Sequence, residues 1–299
     1  MAHSLDLGDL PDVLALEELG DHRYRAPFEA RDDVVRDVVF GGQILAQMII
    51  ASALEDDSGK EVKSIHAIFA RAADFESALE YDVDSMHAGR TFRSDTVTCL
   101  QGGRVMSRGL LLLSSDEPDL IRHTSVEMPD VPGPEDPDGR SDFRVFPGAV
   151  GLIVGGVNTW SDDEPLRPPV QYVWTRYPQA FAPDTSASAL VNQAILSWAT
   201  DGYLIGTAML PHPGLNEGHA HRSISTGVVS HTINFHDRFD ASDWLLLANQ
   251  SVWAGRGRSY GLCNIFTRDG KLVATYTQDN MVRAFADGGD HSGDYERIM

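Results

Sequence analysis

The chain has 299 residues, of which 42% are hydrophobic and 23% charged, a composition typical of a globular protein rather than a disordered one. Its 24 basic and 44 acidic residues give a net charge of −20, which disfavours binding to nucleic acids and anionic membranes. The two cysteines cannot form a disulfide framework, and no cysteine–histidine cluster has zinc-ligand spacing, so we expect no metal site.

The N-terminal segment Met1–Leu10 is acidic and lacks the basic and apolar stretches of a secretory signal or transit peptide. No uninterrupted apolar run approaches the ~20 residues that a helix needs to cross a membrane. From these patterns we expect a soluble, cytoplasmic protein with no membrane partner.

Two segments of the chain follow the same plan of one apolar helical run and four strands. In the first, a helical run at 40–54 precedes strand-like alternation near 62–70, 78–87, 91–100 and 104–114. In the second, a helical run at 187–210 precedes similar stretches near 224–236, 243–253, 258–267 and 271–283. Between them, 116–169 is rich in acids and prolines and predicts a linker, in which 143–146 and 148–157 can dock onto a domain.

Short motifs repeat between the two segments at nearly constant offsets of 165 to 167 residues. The matched pairs are Ser64-Ile65-His66 with Val229-Ser230-His231, Ser85 to Arg90 with Ser251 to Arg256, and Gly102-Gly103-Arg104 with Asp269-Gly270-Lys271. We interpret the chain as an α+β tandem duplication, with domains at 12–115 and 170–285 and the linker at 116–169. In each half we expect an antiparallel sheet wrapped around one long helix.

Asp201 is the only ionisable residue in the helical run of the second half before His212. Burial of an unpaired carboxylate is costly unless hydrogen bonds compensate it, so such an acid is a candidate general base acting on water. A purely structural acid is the alternative interpretation. The helical run of the first half carries no acid before Glu55, so we place any chemistry in the second half.

Several short motifs, in this order and spacing, make the chain resemble the acyl-CoA thioesterase II family over roughly residues 12–285. They are Val39-Phe40-Gly41-Gly42-Gln43, Ala199-Thr200-Asp201, Phe235-His236, Trp244-Leu245-Leu246, Arg268-Asp269-Gly270, and Leu272-Val273-Ala274 with Gln278. The resemblance implies a double hotdog fold and hydrolysis of fatty acyl-CoA to free acid and CoA. It also implies that neither a metal nor a cofactor is needed, CoA being part of the substrate.

In this family an Asp, a Ser or Thr, and a Gln hold the attacking water. The resemblance places the Asp at Asp201 and the Gln at Gln278, but the position of the hydroxyl is Val228. Thr226 and Ser230 are the nearest hydroxyls, and strand alternation predicts that they share a face. Ser230 is the candidate substitute. A backbone N–H near Gly202 is a candidate contact for the thioester oxygen.

Several alternatives remain open. The protein can be a catalytically weak or inactive acyl-CoA-binding hotdog protein, because the hydroxyl is missing. Hydration of enoyl-CoA lacks an evident Asp–His pair, and serine-hydrolase chemistry lacks a Gly-x-Ser-x-Gly turn. His66 and His231 are related by the repeat, which favours a shared structural role. Three arginines can contact CoA phosphates or simply be solvated: Arg256, Arg258 and Arg283. The resemblance also implies a homodimer or higher oligomer.

Overall fold

A computed structural model of the chain describes residues 10–27, 38–180, 182–220 and 222–285. The acidic segment Met1–Leu10 therefore lies, except for its last residue, outside the described residues. Among the residues that are described, no helix is long and apolar enough to span a membrane.

The described part of the first half contains one α-helix and six strands, besides a 3₁₀ turn at Asp12–Leu14. They are β1 (Glu17–Gly20), β2 (Arg23–Arg25), α1 (Gly41–Leu54), β3 (Glu61–Phe69), β4 (Glu80–Ala88), β5 (Phe92–Gln101) and β6 (Arg104–Ser114). The helix and the four strands β3 to β6 coincide closely with the predicted stretches. The short strands β1 and β2 were not predicted.

The described residues of the remaining chain form two α-helices and seven strands, besides 3₁₀ turns at Val154–Gly156 and Glu217–His219. They are β7 (Arg140–Asp142), β8 (Val150–Ile153), β9 (Val170–Arg176), α2 (Ser186–Thr200), α3 (Leu204–Met209), β10 (Ile224–Phe235), β11 (Leu245–Gly255), β12 (Arg258–Thr267) and β13 (Leu272–Ala284). The four predicted strands of this half correspond to β10 to β13. The strands β7 and β8 lie within the segment interpreted as a linker and add to the edge of the sheet beyond β9. The predicted domain boundaries stay a prediction.

All the strands join one sheet of thirteen, in the order β1-β2-β4-β5-β6-β3-β10-β13-β12-β11-β9-β8-β7. Its ladders are antiparallel, and the two halves meet where β3 pairs with β10, with His66 opposite Thr232. Along β5 every second residue is buried, as expected for a strand with one face against a core. The two long helices lie against this buried face, and their apolar side chains share one hydrophobic core with the strands.

The two long helices are in close contact where α1 begins and α2 ends. A Cβ atom on Gly42 would lie 2.1 Å from the carbonyl oxygen of Trp198, so only glycine fits at this position. This close contact brings the first turn of α1 to the residue that follows α2, which is Asp201.

The prediction of a single helix over 187–210 is wrong. The helix ends at Thr200, Asp201 is its C-cap, and the short helix α3 begins at Leu204. Asp and Gly have low helix propensity, and the carbonyl of Gly202 accepts a hydrogen bond from Arg144 instead of continuing a helical ladder. The apolar sequence could not reveal this break, because both helices are buried. Asp201 therefore lies at a helix end rather than in mid-helix.

Candidate active site

A cavity of about 560 Å³ lies between the start of α1, the end of α2, the first part of β10 and the segment 142–149. Most of its wall is apolar, including Phe40, Ile44, Phe69, Val145, Phe146, Trp198, Ile205 and Val228. The charged or polar side chains that reach the wall are Asp201, Thr226, Arg71, Asp142, Arg144 and Glu217. Such a cavity suits an apolar ligand that carries one reactive polar group.

Asp201 lies in this wall with its side chain only 7% exposed. Its Oδ2 atom faces Gly41, where a Cβ atom would lie 2.6 Å away. Phe40, the N-cap of α1, provides no side-chain cap, so no N-cap side chain satisfies the first-turn N–H groups of this helix. The positive end of the helix dipole therefore stabilises the carboxylate, typically by about 0.3–1 kcal/mol.

Gln278, on β13, is buried beside Asp201. One hydrogen of its Nε2 goes to His231, and the other is shared between Oδ1 of Asp201, 3.3 Å away, and the carbonyl oxygen of Thr200, 3.2 Å away. Neither of these oxygens has a hydrogen to give, so they fix the orientation of the amide. The Oε1 atom of Gln278 is buried and has no hydrogen-bond partner among the described residues.

His231, on β10 directly opposite Gln278, completes the network. The Thr200 hydroxyl donates to the Ser197 carbonyl at 2.7 Å, so its oxygen accepts from Nε2 of His231 at 3.1 Å. The imidazole hydrogen thus resides on Nε2, and Nδ1 accepts from Gln278 at 2.8 Å. The ring also stacks on Tyr276, with centroids 5.3 Å apart. His231 therefore holds the amide of Gln278 against Asp201.

The sequence repeat predicts a shared structural role for His66 and His231, but the two side chains lie in different environments. His66 is exposed and contacts the hydroxyl of Thr232 at 2.7 Å, whereas His231 is fully buried. The signal that distinguishes them is the register of β10 and β13, which pairs His231 with Gln278 and cannot be read from one sequence.

The hydroxyl candidates on β10 are separated by a β-bulge between Val228 and Ser230. Val228 and Thr226 line the cavity, whereas the Ser230 hydroxyl donates to Asp279 at 3.1 Å on the exposed side of the sheet. The predicted common face of Thr226 and Ser230 is therefore wrong, because the bulge inserts Val229 and reverses the alternation after it. The structure brings Asp201 and Gln278 together and does not bring Ser230 to them.

A buried ion cluster next to Asp201 was not predicted from the sequence. Arg144 donates to Asp142 at 2.8 Å, to Glu217 at 2.9 Å and to the carbonyl oxygen of Gly202 at 2.9 Å. Burial lowers the pKa of the Arg144 guanidinium, but Glu217 and Asp142 outweigh it and raise that pKa above its usual value. The cluster fixes the carbonyl that directly follows Asp201.

Gly202 and Tyr203, which follow Asp201 in the chain, are both held by contacts within the protein. The N–H of Gly202 donates to the carbonyl of Ala199 at 3.2 Å, so it is already engaged. The guanidinium of Arg144 lies over the ring of Tyr203 at 4.6 Å. Burial raises the pKa of the Tyr203 hydroxyl well above its usual value, and the nearby Asp142 raises it further. Arg256, Arg258 and Arg283 are not part of the cavity wall.

Comparison with known protein families gives matches over most of the chain. Residues 30–114 match the family described as acyl-CoA thioesterase N-terminal domain, and residues 125–282 match the acyl-CoA thioesterase C-terminal domain. The chain belongs to the acyl-CoA thioesterase family. This confirms the resemblance inferred from the motifs.

Relatives and solved structures agree with this assignment. "Acyl-CoA thioesterase 2" of Haemophilus influenzae is 28% identical over 294 residues, covering 93% of this chain and 98% of that protein. "Acyl-coenzyme A thioesterase 8" of Mus musculus is 27% identical over 302 residues, covering 92% and 91%.

Two solved structures share the fold. Acyl-CoA thioesterase II TesB2 from Mycobacterium marinum has a TM-score of 0.73 at 24% identity, covering 92% of this chain and 97% of that one. A hotdog-fold protein of unknown function from Alicyclobacillus acidocaldarius has a TM-score of 0.71 at 19% identity, covering 92% and 98%. The hotdog fold expected from the sequence is confirmed. The sequence also predicts one long helix in each half. This remains a proposal, which α1 and α2 support.

Proposed function

We propose that the protein hydrolyses acyl-CoA thioesters to a carboxylic acid and CoA. One observation carries the proposal: a buried carboxylate, Asp201, is hydrogen-bonded by Gln278 in the wall of a largely apolar cavity. Membership of the acyl-CoA thioesterase family, and relatives bearing that name, support the same reaction.

In the proposed mechanism Asp201 acts as a general base. It takes one proton from a water molecule, whose oxygen attacks the thioester carbonyl to form a tetrahedral intermediate. The carbon–sulfur bond then breaks, and the proton returns from Asp201 to the CoA thiolate. A positioned base commonly contributes about 10²–10⁴-fold to such a rate. Gln278, held by His231 and Thr200, keeps the Asp201 carboxylate in place.

The negative charge that develops on the thioester oxygen requires hydrogen-bond donors. Since the N–H of Gly202 is engaged with Ala199, we assign this role to the first turn of α1, where Gly41 lines the cavity beside Asp201. N–H groups at a helix start have no partner within the helix, and the dipole favours negative charge there. Donors of this kind are preorganised and stabilise the intermediate more than the substrate.

Val228 is the feature that argues for a slow enzyme. A missing hydrogen-bonding group costs about 1–3 kcal/mol, equivalent to about a ten- to hundredfold lower rate. Thr226 provides a hydroxyl on the same wall of the cavity, two residues earlier on β10. We therefore expect reduced or redirected activity rather than none.

The rival proposal, which the same Val228 favours, is a protein that binds acyl-CoA without hydrolysing it. The test is release of free CoA from acyl-CoAs of graded chain length, detected with a thiol reagent. Calorimetry with a thioether analogue of acyl-CoA measures binding in parallel. CoA release supports the enzyme, whereas tight binding of the analogue without release at any chain length supports the rival.

Three further features expected from the sequence remain proposals. Hydrolysis should proceed without a metal or cofactor, and a chelator in the same assay tests this directly. The protein should form a homodimer or higher oligomer, and light scattering that shows a strict monomer at micromolar concentration would exclude it. A role in fatty acid metabolism and a cytoplasmic location are part of the same proposal, and fractionation of the cells that make the protein tests the location.

A further inference from the structure

Phe146 lies between the main cavity and a second, much smaller one. The second cavity has a volume of about 10 Å³ and is walled by apolar side chains that include Ile195, Leu196, Ala199, Ala241 and Leu245. Phe146 and Ala149 line both cavities, and Phe146 is almost completely buried. The ring of Phe146 therefore forms part of the partition between them.

The second cavity reaches further toward the start of α2 than the main cavity, and the two overlap along the helix at the level of Ala199. Asp201 and Trp198 line the main cavity, whereas Ile195 lines the second one. Residues three positions apart share a face of a helix, so these three lie in a row. Since a helix rises 1.5 Å per residue, Ile195 lies about 9 Å from Asp201 along the axis. A chain that starts at Asp201 and runs along this row meets Phe146 before the second cavity.

The position of Phe146 is fixed by two other rings. Its centroid lies 5.5 Å from that of Trp198 and 5.1 Å from that of Tyr177, and both contacts are edge-to-face. Phe146 belongs to the connection between β7 and β8, in which the N–H of Ala149 donates to the Phe146 carbonyl at 2.8 Å. This connection is part of the segment that sequence analysis assigned to a linker.

We propose that Phe146 closes the inner end of the acyl cavity and sets the longest acyl chain that the site accepts. The inference rests on the proposed function for the identity of the ligand. The acyl chain lies along the apolar face of α2 with its thioester at Asp201, and its end abuts the ring of Phe146. Removal of the ring joins the two cavities and lets longer chains enter.

The test is the chain-length profile of Phe146→Ala. Each additional CH₂ group buried from water contributes about 0.8 kcal/mol, which corresponds to about a fourfold change. For a substrate two carbons longer than the wild-type optimum, kcat/KM relative to that optimum should therefore rise by roughly fifteenfold. Phe146→Leu, which removes less volume, should shift the profile in the same direction by less and serves if the alanine variant does not fold.

Two control variants separate this role from a general loosening of the core. Phe69 lines the main cavity but not the second, so Phe69→Ala should leave the longest accepted chain unchanged. Ala241 lines only the second cavity, so Ala241→Leu added to Phe146→Ala should refill the space and restore the wild-type profile. An equal shift with Phe69→Ala, or no restoration by Ala241→Leu, would contradict the proposal.

Binding of thioether analogues of graded length, measured by calorimetry, provides a reading independent of hydrolysis. If the wild-type protein releases no CoA, the proposed reaction fails, but the chain-length dependence of Kd still tests Phe146. A shift of the Kd profile toward longer chains in the Phe146 variants supports the proposal. An unchanged profile, or an equal loss at every chain length, overturns it.

Discussion

Arg144→Met tests whether the ion cluster beside Asp201 holds this part of the fold together. The substitution keeps an unbranched apolar stem and removes the guanidinium that binds Asp142, Glu217 and the carbonyl of Gly202. The side chains of Arg144, Asp142 and Glu217 are only 6%, 1% and 10% exposed, so water compensates little for the lost guanidinium. Two carboxylates then remain buried without their cation.

The magnitude follows from this burial. Removing one partner of a buried ion pair costs about 3–5 kcal/mol of unfolding free energy, because the remaining charge is uncompensated. Arg268→Met is the matched control: it breaks the pair with Glu135, whose side chains are 55% and 67% exposed. Such surface pairs contribute about 0–1 kcal/mol. Urea unfolding followed by tryptophan fluorescence measures both variants against the wild type.

The two variants should also differ in activity. Since Arg144 holds the carbonyl that follows Asp201, the folded Arg144→Met protein should have a lower kcat, whereas Arg268→Met should retain that of the wild type. If both variants lose the same small unfolding free energy, the cluster contributes no more than a surface pair. The reasoning from burial would then be refuted.

Other predictions concern the network around the proposed base. Asp201→Asn preserves an oxygen acceptor for Gln278 but removes the base. Turnover should therefore fall by about 10²-fold or more, while binding of a thioether analogue changes little. Full activity in a folded variant would show that Asp201 is a structural acid. Gln278→Ala should lower kcat about ten- to hundredfold. His231→Ala should lower kcat in the wild type but have little further effect in the Gln278→Ala background, since His231 acts through that amide; additive effects in the double-mutant cycle would contradict this role. Val228→Thr should raise kcat if the missing hydroxyl limits the rate. An unchanged kcat would show that Val228 does not limit it.

Much of the fold can be read from the sequence because its main signals are local. The alternation along β5 and the repeated turn at Gly102-Gly103 and Asp269-Gly270 predict strands and hairpins within a few residues of their observed ends. The end of α2 cannot be predicted in this way. Apolar residues continue past Asp201, and the partner that holds the bend, Arg144, is distant in sequence.

The site shows the same division between local and long-range information. Asp201 is conspicuous as the lone acid of an apolar run, and the family resemblance points to Gln278. The face of Ser230, by contrast, depends on a bulge at Val229, and the role of His231 depends on its register with Gln278. Both are set by strand pairing, which one sequence does not encode in any short window.

Because the two halves are related, the end of one long helix meets the start of the other at two similar junctions. We place the chemistry at only one of them, where α2 ends and α1 begins. At each, an acid follows the end of a helix: Asp201 after α2 and Glu55 after α1. Glu55 is occupied on both oxygens, since Tyr24 donates to one and His22 contacts the other, each at 2.7 Å.

The helix starts differ as well. The start of α2, which faces the end of α1 near Gly59, is closed by a capping box between Thr185 and Ser188. The start of α1 has no side-chain cap, and Asp201 lies against it at Gly41. Asp201, by contrast, is hydrogen-bonded by Gln278 on one oxygen and lies at an uncapped helix start. In the proposed mechanism the carboxylate activates water and the helix donors stabilise the oxyanion. The duplicated fold thus supplies two scaffolds, and local capping determines which one is suited to catalysis.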